Sequence, residues 1–264
     1  MSTTKHTSRK SASDVALRQR LQELSRVFVT GLAGPLARDV YATRRAQHLD
    51  AAEHPWVFHG LEQEPGAEHD WVFPGVRIFQ EPSVQYLTGL NQTGVSLVLV
   101  PGKRGAASST VLFLPAKDPS REFWDGVRIG LFEDDSPAAR RNLAELRTLL
   151  RIQDIRPSSS LPEYLDELAR KHKRIGVFHH RYRDGNGAER TLRTDASWTF
   201  ARLVAGIARR HGSEIVSIAE EHFRLRMPLD GWQFREAEQA QEWTRKAFVE
   251  LLPQNPRMAH EHQI

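Results

Sequence analysis

The sequence feature that most constrains the fold is a run of largely apolar residues at positions 95–100, which reads Val-Ser-Leu-Val-Leu-Val. Pro101 and Gly102 follow it directly and form a strong turn signal. Residues 110–114 form a second apolar run, and the stretch between the runs is rich in Gly, Ala and Ser, as in a hairpin loop. Two neighbouring strands of this kind predict the centre of a sheet that is covered on both faces.

Helical and strand patterns alternate along the rest of the chain. Apolar spacing predicts helices over residues 15–27, 37–49, 137–150, 161–171 and 194–210, and strands over residues 56–58, 75–79, 174–178 and 214–218. In the second of these helices, Arg44 and Arg45 are expected on the exposed side. Residues 155–162 contain two prolines and three serines and are predicted to be a loop. The alternation predicts an α/β fold, in which a mixed β-sheet is flanked by helices.

The sequence also divides into a main domain and flanking segments. We predict a disordered tail over residues 1–12, the α/β domain over residues 13–222, a linker with an amphipathic helix over residues 223–252, and a second disordered tail over residues 253–264. Asp230 is the expected cap of the amphipathic helix. Its apolar residues are expected to form one stripe, and the large ones are a possible partner surface: Trp232, Phe234, Trp243 and Phe248.

Residue content excludes several kinds of site. The 264 residues contain no cysteine, which rules out disulfides, thiolate nucleophiles and cysteine-bound zinc. No apolar run approaches the roughly 20 residues that span a bilayer, and the basic start of the chain has no apolar segment behind it. We therefore expect a cytoplasmic location and no membrane partner. The Arg- and Ser-rich start leaves an organellar transit peptide open as an alternative.

Two short motifs flank the apolar strands. Residues 86–91 read Tyr-Leu-Thr-Gly-Leu-Asn, and residues 117–130 read Lys-Asp-Pro-Ser-Arg-Glu-Phe-Trp-Asp-Gly-Val-Arg-Ile-Gly. Gly89 lies where a helical turn must give way to a strand, and glycine permits the backbone angles that this change requires.

In the second motif, the residue types fit a loop that is fixed to the sheet. Trp124 offers a large apolar area for anchoring, and Asp125 could pair with Arg128 across Gly126. A purely structural clamp explains these residues most simply. The sharper interpretation is that the loop borders a substrate cleft shared with another subunit or domain.

Together, the two motifs and the strands between them resemble the N-terminal domain of aminopeptidase P, the family of Xaa-Pro aminopeptidases. That domain carries a Tyr-Leu-Thr-Gly-Phe motif and an Asp-Pro…Glu-x-Trp-x-Gly-x-Arg-x-Gly signature, and residues 41–49 are similar to its opening Arg-Arg helix. The resemblance implies a creatinase/prolidase N-terminal domain-like fold, which is a ribonuclease H-like sandwich. The matching residues are Tyr86, Leu87, Thr88, Gly89, Asp118, Pro119, Glu122, Trp124, Asp125, Gly126, Arg128 and Gly130.

The resemblance also implies where the chemistry of the family lies. Family members cleave the bond before a proline in second position with two metal ions, often manganese, which are held by carboxylates and a histidine of a C-terminal domain. We expect this chain to lack that domain, so no catalytic, cofactor-binding or metal residue is assigned in it. The chain departs from the family at Gln85, where an aromatic residue is frequent, and at Met227, where lysine is usual. The first departure weakens the case for an aromatic site wall.

Other ligand-type residues do not form a replacement metal centre in the sequence. His179 and His180 are adjacent at a strand end and therefore point to opposite faces. Residues 260–262 lie in the predicted tail, and residues 133–135 read as a solvated acidic turn. Residues 220–222 have no matching carboxylates elsewhere.

Three functions remain open. The leading hypothesis is a non-catalytic accessory domain that forms homo-oligomers or pairs with a separately encoded catalytic domain, and that gates access of proline-containing peptides. The first alternative is a truncated or split Xaa-Pro aminopeptidase that is active only with a separate catalytic chain. The second is a nucleic-acid-binding module that uses the basic excess of residues 170–193, although a solvated helix end explains this excess more simply.

Overall fold

The structure is a computed structural model, and it describes residues 35–60, 81–90, 92–102, 107–118, 129–178, 182–183, 189–190 and 196–254. The chain forms two compact units, Met1–Phe223 and Arg224–Ile264. The predicted helix over residues 15–27, the predicted strand over residues 75–79, the first predicted tail and most of the second lie outside the described residues.

Helices and strands alternate through the described part of the first unit. The helices are α1 (Pro35–Ala51), α2 (Pro82–Thr88), α3 (Pro137–Leu150), α4 (Leu161–Lys171), α5 (Ala196–Arg210) and α6 (Ala219–Arg226), the last of which contains the boundary between the units. The strands are β1 (Trp56–His59), β2 (Ser96–Val100), β3 (Ser109–Leu114), β4 (Asp154–Pro157), β5 (Arg174–Val177), β6 (Tyr182–Arg183), β7 (Glu189–Arg190) and β8 (Glu214–Ser217). The second unit contains α7 (Gly231–Gln254).

Six of the described strands form one mixed sheet in the order β4-β3-β2-β1-β5-β8. Strands β1, β2 and β3 pair antiparallel, whereas β4, β5 and β8 join in parallel. The predicted hairpin is confirmed, because β2 pairs with β3 over its whole length, from Ser96 opposite Phe113 to Val100 opposite Ser109. Strands β6 and β7 form a separate two-stranded pair.

Helices cover both faces of this sheet, as the apolar strands predict. Successive side chains on a strand point to opposite faces, so one face carries Val57, Val98 and Val111. These residues pack in one core cluster with α4 and α5. Trp56, Phe58 and the leucines of β2 and β3 are also buried, and by the same alternation they lie on the opposite face. The contacts of α1 with β2, and of α2 with β1, place these helices there.

Helices α3 and α4 begin and end where their apolar spacing predicts. The Oγ of Ser136 accepts a hydrogen bond from the Ala139 amide at 3.1 Å, and Pro137 occupies the first turn of α3, where no amide donor is needed. The helix ends at Arg151, which has a left-handed φ of 51°. Helix α4 likewise spans Leu161–Lys171 and has a proline in its first turn.

The prediction of a loop over residues 155–162 is wrong at its start. Asp154–Pro157 forms strand β4, which pairs in parallel with β3 at the edge of the sheet. An edge strand tolerates Pro157 because one side of its backbone needs no hydrogen-bonding partner in the sheet. The side chain of Arg156 donates two hydrogen bonds to Asp154, at 2.9 and 2.8 Å. The serines then form a short 3-10 helix, Ser158–Ser160.

The expected exposure of Arg44 and Arg45 is also wrong. Their relative exposures are 4% and 3%, so both guanidinium groups are buried in the first unit. Tyr41 and His48 are buried with them. The spacing of these four residues in the sequence is i, i+3, i+4, i+7, which is the spacing of a helix face that points to the core. Sequence reasoning missed this buried face because three of its four residues are arginines or a histidine.

The second unit begins its helix as Asp230 predicts. The Oδ1 atom of Asp230 accepts hydrogen bonds from the amides of Trp232 and Gln233, at 3.1 and 2.8 Å. The side chain of Gln233 accepts one in return from the Asp230 amide at 3.2 Å, which completes a capping box. Among the described helices, none has the length and apolar character needed to cross a membrane.

Candidate functional site

The Tyr-Leu-Thr-Gly motif forms the end of α2, a two-turn helix that is capped at both ends. The Oε2 atom of Glu81 accepts hydrogen bonds from the amides of Ser83 and Val84, at 2.7 and 3.0 Å. At the other end, the Oγ1 of Thr88 donates to the Val84 carbonyl at 2.7 Å and accepts from the Leu90 amide at 3.1 Å. The threonine therefore joins the last turn of the helix to the chain that follows.

Gly89 ends the helix in a conformation that other residues avoid. Its φ is 78°, in the left-handed region, and its amide donates to the Gln85 carbonyl at 2.8 Å. A Cβ atom at this position would lie against the ring of Tyr41, only 2.6 Å from its Cζ atom. The glycine is thus required twice, by the backbone angle and by the close approach of α1.

Two buried arginines of α1 hold the motif in place. Arg44 donates to the carbonyl of Tyr86 at 3.0 Å, and its guanidinium carbon lies 4.1 Å from the centre of the Tyr86 ring. Arg45 donates to the carbonyls of Leu87 and Leu150, at 2.8 and 2.9 Å. These carbonyls belong to the last turns of α2 and α3.

The ends of α2 and α3 therefore supply the negative potential that Arg45 needs. The last carbonyls of a helix have no amide partner in it, and the helix dipole concentrates negative charge there. Burial lowers the pKa of Arg45 from its ordinary value to about 10, so the group stays charged near neutral pH. A single side chain of α1 thereby connects three helices.

A pair of histidines lies beside these arginines. The Nδ1 atom of His48 is 2.8 Å from the Arg44 carbonyl, and its Nε2 atom is 3.0 Å from Nδ1 of His222 in α6. A carbonyl only accepts, so neutral His48 carries its proton on Nδ1 and accepts at Nε2. His222 must then donate from its own Nδ1. Both side chains are fully buried, and Phe58, Phe178 and Tyr86 surround the His222 ring.

A second clamp holds the end of the motif over residues 117–130. The side chain of Gln92 donates to the Ile129 carbonyl at 2.6 Å and accepts from the Ile129 amide at 2.9 Å. Asn142 of α3 donates to the Gly130 carbonyl at 2.9 Å. A Cβ atom on Gly130 would lie 2.9 Å from the Pro115 carbonyl oxygen, so this position needs glycine. Sequence reasoning missed Gln92 and Asn142, which carry no local signal for these distant contacts.

The sequence profile of the family described as "Aminopeptidase P, N-terminal domain" matches residues 41–178, just over half of the chain. The chain belongs to this family.

Similar proteins agree with this assignment. Human Xaa-Pro aminopeptidase 3 is 38% identical over 80 residues, which are 30% of this chain and 15% of that protein. The fold is similar to that of proline aminopeptidase P II from Yersinia pestis, with a TM-score of 0.54 at 17% identity over 75% of this chain. It is also similar to Icp55 from Saccharomyces cerevisiae, with a TM-score of 0.52 at 15% identity over 75% of this chain. The match spans 41% and 39% of these two structures.

The structure describes only part of the family motifs. Tyr86, Leu87 and Thr88 are buried, so the first motif packs inside the domain. Gln85, where the family often has an aromatic residue, is partly buried. Asp118 is exposed, and Gly130 is held by the contact with α3. The remaining predicted residues lie outside the described part of the chain: Pro119, Glu122, Trp124, Asp125, Gly126 and Arg128.

The ligand-type residues considered in the sequence do not converge where the structure describes them. Asp134 accepts a hydrogen bond from the Ser136 amide at 3.2 Å, next to the cap of α3. His222 faces His48 in the interior, whereas Glu220 is exposed. Within the described ranges, no group of three or more His, Asp or Glu side chains could hold a metal ion. His179, His180 and residues 260–262 lie outside those ranges.

Most of the aromatic residues of α7 are exposed. Phe234, Trp243 and Phe248 have relative exposures of 55%, 63% and 56%, and Trp232 is partly buried. A helix turns by about 100° per residue, so Trp243 lies about 180° around the axis from Phe234. Phe248 returns to within about 40° of Phe234, and Trp232 lies within about 20° of Trp243. The four aromatic residues therefore spread over roughly half of the helix circumference, and their role as a partner surface stays a prediction.

Proposed function

We propose that this domain is a non-catalytic part of an Xaa-Pro aminopeptidase system, in which it promotes subunit association and borders the entrance for proline-containing peptides. The proposal includes a cytoplasmic location. It also assigns catalysis to a manganese-dependent domain, carried by another chain or by further sequence. Because the described residues lack a suitable ligand group, none of them is assigned to manganese or to a reaction step.

The observation that carries the proposal is that the Tyr-Leu-Thr-Gly motif packs inside the domain and helps to hold it together. Arg44 and Arg45 donate to the backbone of the Tyr-Leu-Thr-Gly segment, and its side chains are buried. Such contacts position a segment, and they leave no motif side chain of α2 open to a peptide. The motif is therefore suited to support and not to chemistry.

Contacts on both sides of the second motif suggest which segment faces the peptide. Residues 119–128 lie between two fixed points, the bridge of Ala116 to Leu131 and the Gln92 clamp on Ile129. The sequence predicts a loop for this segment, and the described residues on both sides of it are held in place. We therefore propose that Trp124, Asp125 and Arg128 border the peptide entrance.

The nucleic-acid alternative is not adopted, because carboxylates accompany the basic residues that motivated it. Arg170 and Lys171 form ion pairs with Asp166 and Glu167, one turn earlier on α4. Arg174 lies 3.6 Å from Glu214 on the neighbouring strand. This mixture is typical of a solvated helix end.

The purified 264-residue protein is expected to lack peptidase activity of its own. Incubated with manganese and a peptide that begins Arg-Pro-Pro, it should release no more arginine than a sample containing chelator. Turnover that requires manganese and survives removal of contaminating peptidases by a second purification step would contradict the proposal. Activity that appears only on addition of a separate catalytic chain would support the split-enzyme form of it.

Association is expected to depend on the exposed aromatic residues of α7. The protein should sediment as a dimer or larger species, and Trp243→Glu or Phe248→Glu should weaken association roughly tenfold or more, as loss of an interface aromatic does. Because the two residues lie on different sides of α7, the more damaging variant identifies the buried side. Arg235→Glu is the matched control, because this exposed position lies about 80° around α7 from Trp243 and about 140° from Phe248. A wild-type protein that stays monomeric at high concentration would refute self-association.

A further inference from the structure

We propose that strand β8, at one edge of the six-stranded sheet, pairs with β8 of a second copy of this chain. The two strands run antiparallel about a twofold axis and join the two sheets into one. This edge pairing deepens the self-association proposed above and rests on it. It names a second association surface, on the first unit, in addition to the aromatic residues of α7.

The two edges of the described sheet are protected to different degrees. At β4, the backbone nitrogen of Pro157 carries no hydrogen, and the ion pair of Arg156 with Asp154 adds two charges. Both features discourage the addition of a further strand. Strand β8 has no proline, and its two central residues, Ile215 and Val216, are β-branched and partly exposed. Its composition therefore favours strand pairing.

The pairing of β8 with β5 shows which of its backbone groups point outwards. The amides of Glu214 and Ile218 donate to carbonyls in and next to β5, at 2.9 and 3.4 Å. In a parallel pair, alternate residues of a strand direct both of their backbone groups to the same neighbour. Ile215 and Ser217 therefore direct their N–H and C=O groups to the outer side of the sheet, where the described residues provide no further strand.

This pattern fits a symmetric pair that is centred on Val216. In an antiparallel pair, two opposite residues can exchange both of their backbone hydrogen bonds. With the twofold axis at Val216, Ile215 lies opposite Ser217 of the partner subunit, and the same exchange repeats on the other side of the axis. The outward backbone groups of both residues are then satisfied. The two copies of Val216 lie opposite each other, at the spacing of a cross-strand side-chain pair.

Opposite charges at the two ends of β8 favour an antiparallel copy as the occupant of this edge. Arg209 lies in the last turn of α5, before β8, whereas Glu220 and Glu221 lie in the first turn of α6, after it. Arg209 and Glu220 are exposed, and Glu221 is partly exposed. Antiparallel pairing brings the start of each β8 to the end of the other, so Arg209 approaches the glutamates of the second copy. Such complementarity selects a partner and its orientation.

The other charges near β8 are compensated within one copy or lie farther away. Arg210 is 3.1 Å from Asp166 of α4, and Arg174 is 3.6 Å from Glu214. The two arginines of α6 lie in its last turn, at the end away from β8. Among the described ion pairs of the chain, none uses Arg209 or the glutamates of α6. These groups therefore remain available to a second copy.

Sedimentation of the full 264-residue chain tests the edge pairing separately from α7. A double variant, Trp243→Glu with Phe248→Glu, removes the aromatic surface of α7 and should still form a dimer. Ser217→Pro, added to this variant, removes one outward N–H from each copy at an edge position that tolerates proline. Two hydrogen bonds are lost per dimer, so the dissociation constant should rise roughly tenfold or more.

The outcomes distinguish the two association surfaces. If the wild type associates but the double variant stays monomeric at high concentration, the edge pairing is refuted and the role of α7 stands. If the double variant associates as tightly as the wild type and Ser217→Pro weakens it, the edge pairing stands and the role of α7 is refuted. A monomeric wild type would refute both.

Charge reversal tests the orientation and leaves the strand itself unchanged, so it also decides if Ser217→Pro does not fold. In the double variant of α7, Arg209→Glu should weaken the dimer several-fold. Adding Glu220→Arg and Glu221→Arg should restore it, because both ends of β8 then have reversed charges. Arg147→Glu makes the same charge change at an exposed position of α3, a helix that contacts β4 at the opposite edge, and should have no effect. A reversed protein that associates no better than Arg209→Glu would overturn the antiparallel pairing.

Discussion

Replacing Gly89 with alanine should lower the free energy of unfolding by about 3 kcal/mol or more. A left-handed backbone costs a residue with a Cβ atom roughly 1–2 kcal/mol. The new methyl group would also overlap the ring of Tyr41, whose Cζ atom is 2.6 Å from the Cβ position. Forcing extra volume into a packed interior typically costs a further 1–3 kcal/mol. Urea unfolding, followed by tryptophan fluorescence, measures the difference.

Gly212 provides a matched control for the backbone part of this effect. Its φ is 67°, close to the 78° of Gly89, but no atom lies within 4 Å of its Cβ position. Gly212→Ala should therefore cost only the conformational strain, roughly 1–2 kcal/mol. If both variants lost the same stability, the close approach of Tyr41 would contribute nothing, and the backbone angle alone would account for glycine at position 89.

The elements that sequence reasoning located correctly carry their signals within a few residues. Strands β2 and β3 are apolar because both of their faces are covered, and this is visible in the sequence without knowledge of the partners. Helix α3 was predicted from its apolar spacing, and the structure shows that Ser136 and Pro137 fix its start within the first turn of the same helix. Local chemistry determines these features, so a single sequence is sufficient to find them.

The candidate site depends on contacts between distant parts of the chain, and a sequence does not display these contacts. Arg45 and the Leu87 carbonyl are 42 residues apart, and the paired His48 and His222 are 174 residues apart. The core-facing spacing of the polar stripe on α1 was present in the sequence. That spacing could not be recognised as a buried face without knowing which groups stabilise the arginines. A buried arginine is usually paired with a carboxylate, whereas here the carbonyls at the ends of two other helices take that role.

Replacing Arg45 with methionine should lower the free energy of unfolding by about 3 kcal/mol. The hydrogen bonds from Arg45 to the carbonyls of Leu87 and Leu150 are charge-assisted, and such bonds contribute roughly 1.5–3 kcal/mol each. Release of a buried charge offsets part of this loss, because the guanidinium no longer has to be desolvated. Methionine keeps most of the apolar length of the side chain, so the effect reports on the polar contacts. Denaturant unfolding at neutral pH measures it.

Arg151 is the control, because it also connects α1 to the end of α3. It pairs with Asp39 at 2.6 Å, but both side chains are about half exposed, and such pairs contribute about 0–1 kcal/mol. Arg151→Met should therefore have little effect. Arg45→Lys then separates charge from geometry: lysine keeps the positive charge near the helix ends but lacks the planar group that reaches two carbonyls. A loss midway between wild type and Arg45→Met would indicate that both matter. Full stability in the lysine variant would show that charge alone holds the three helices together.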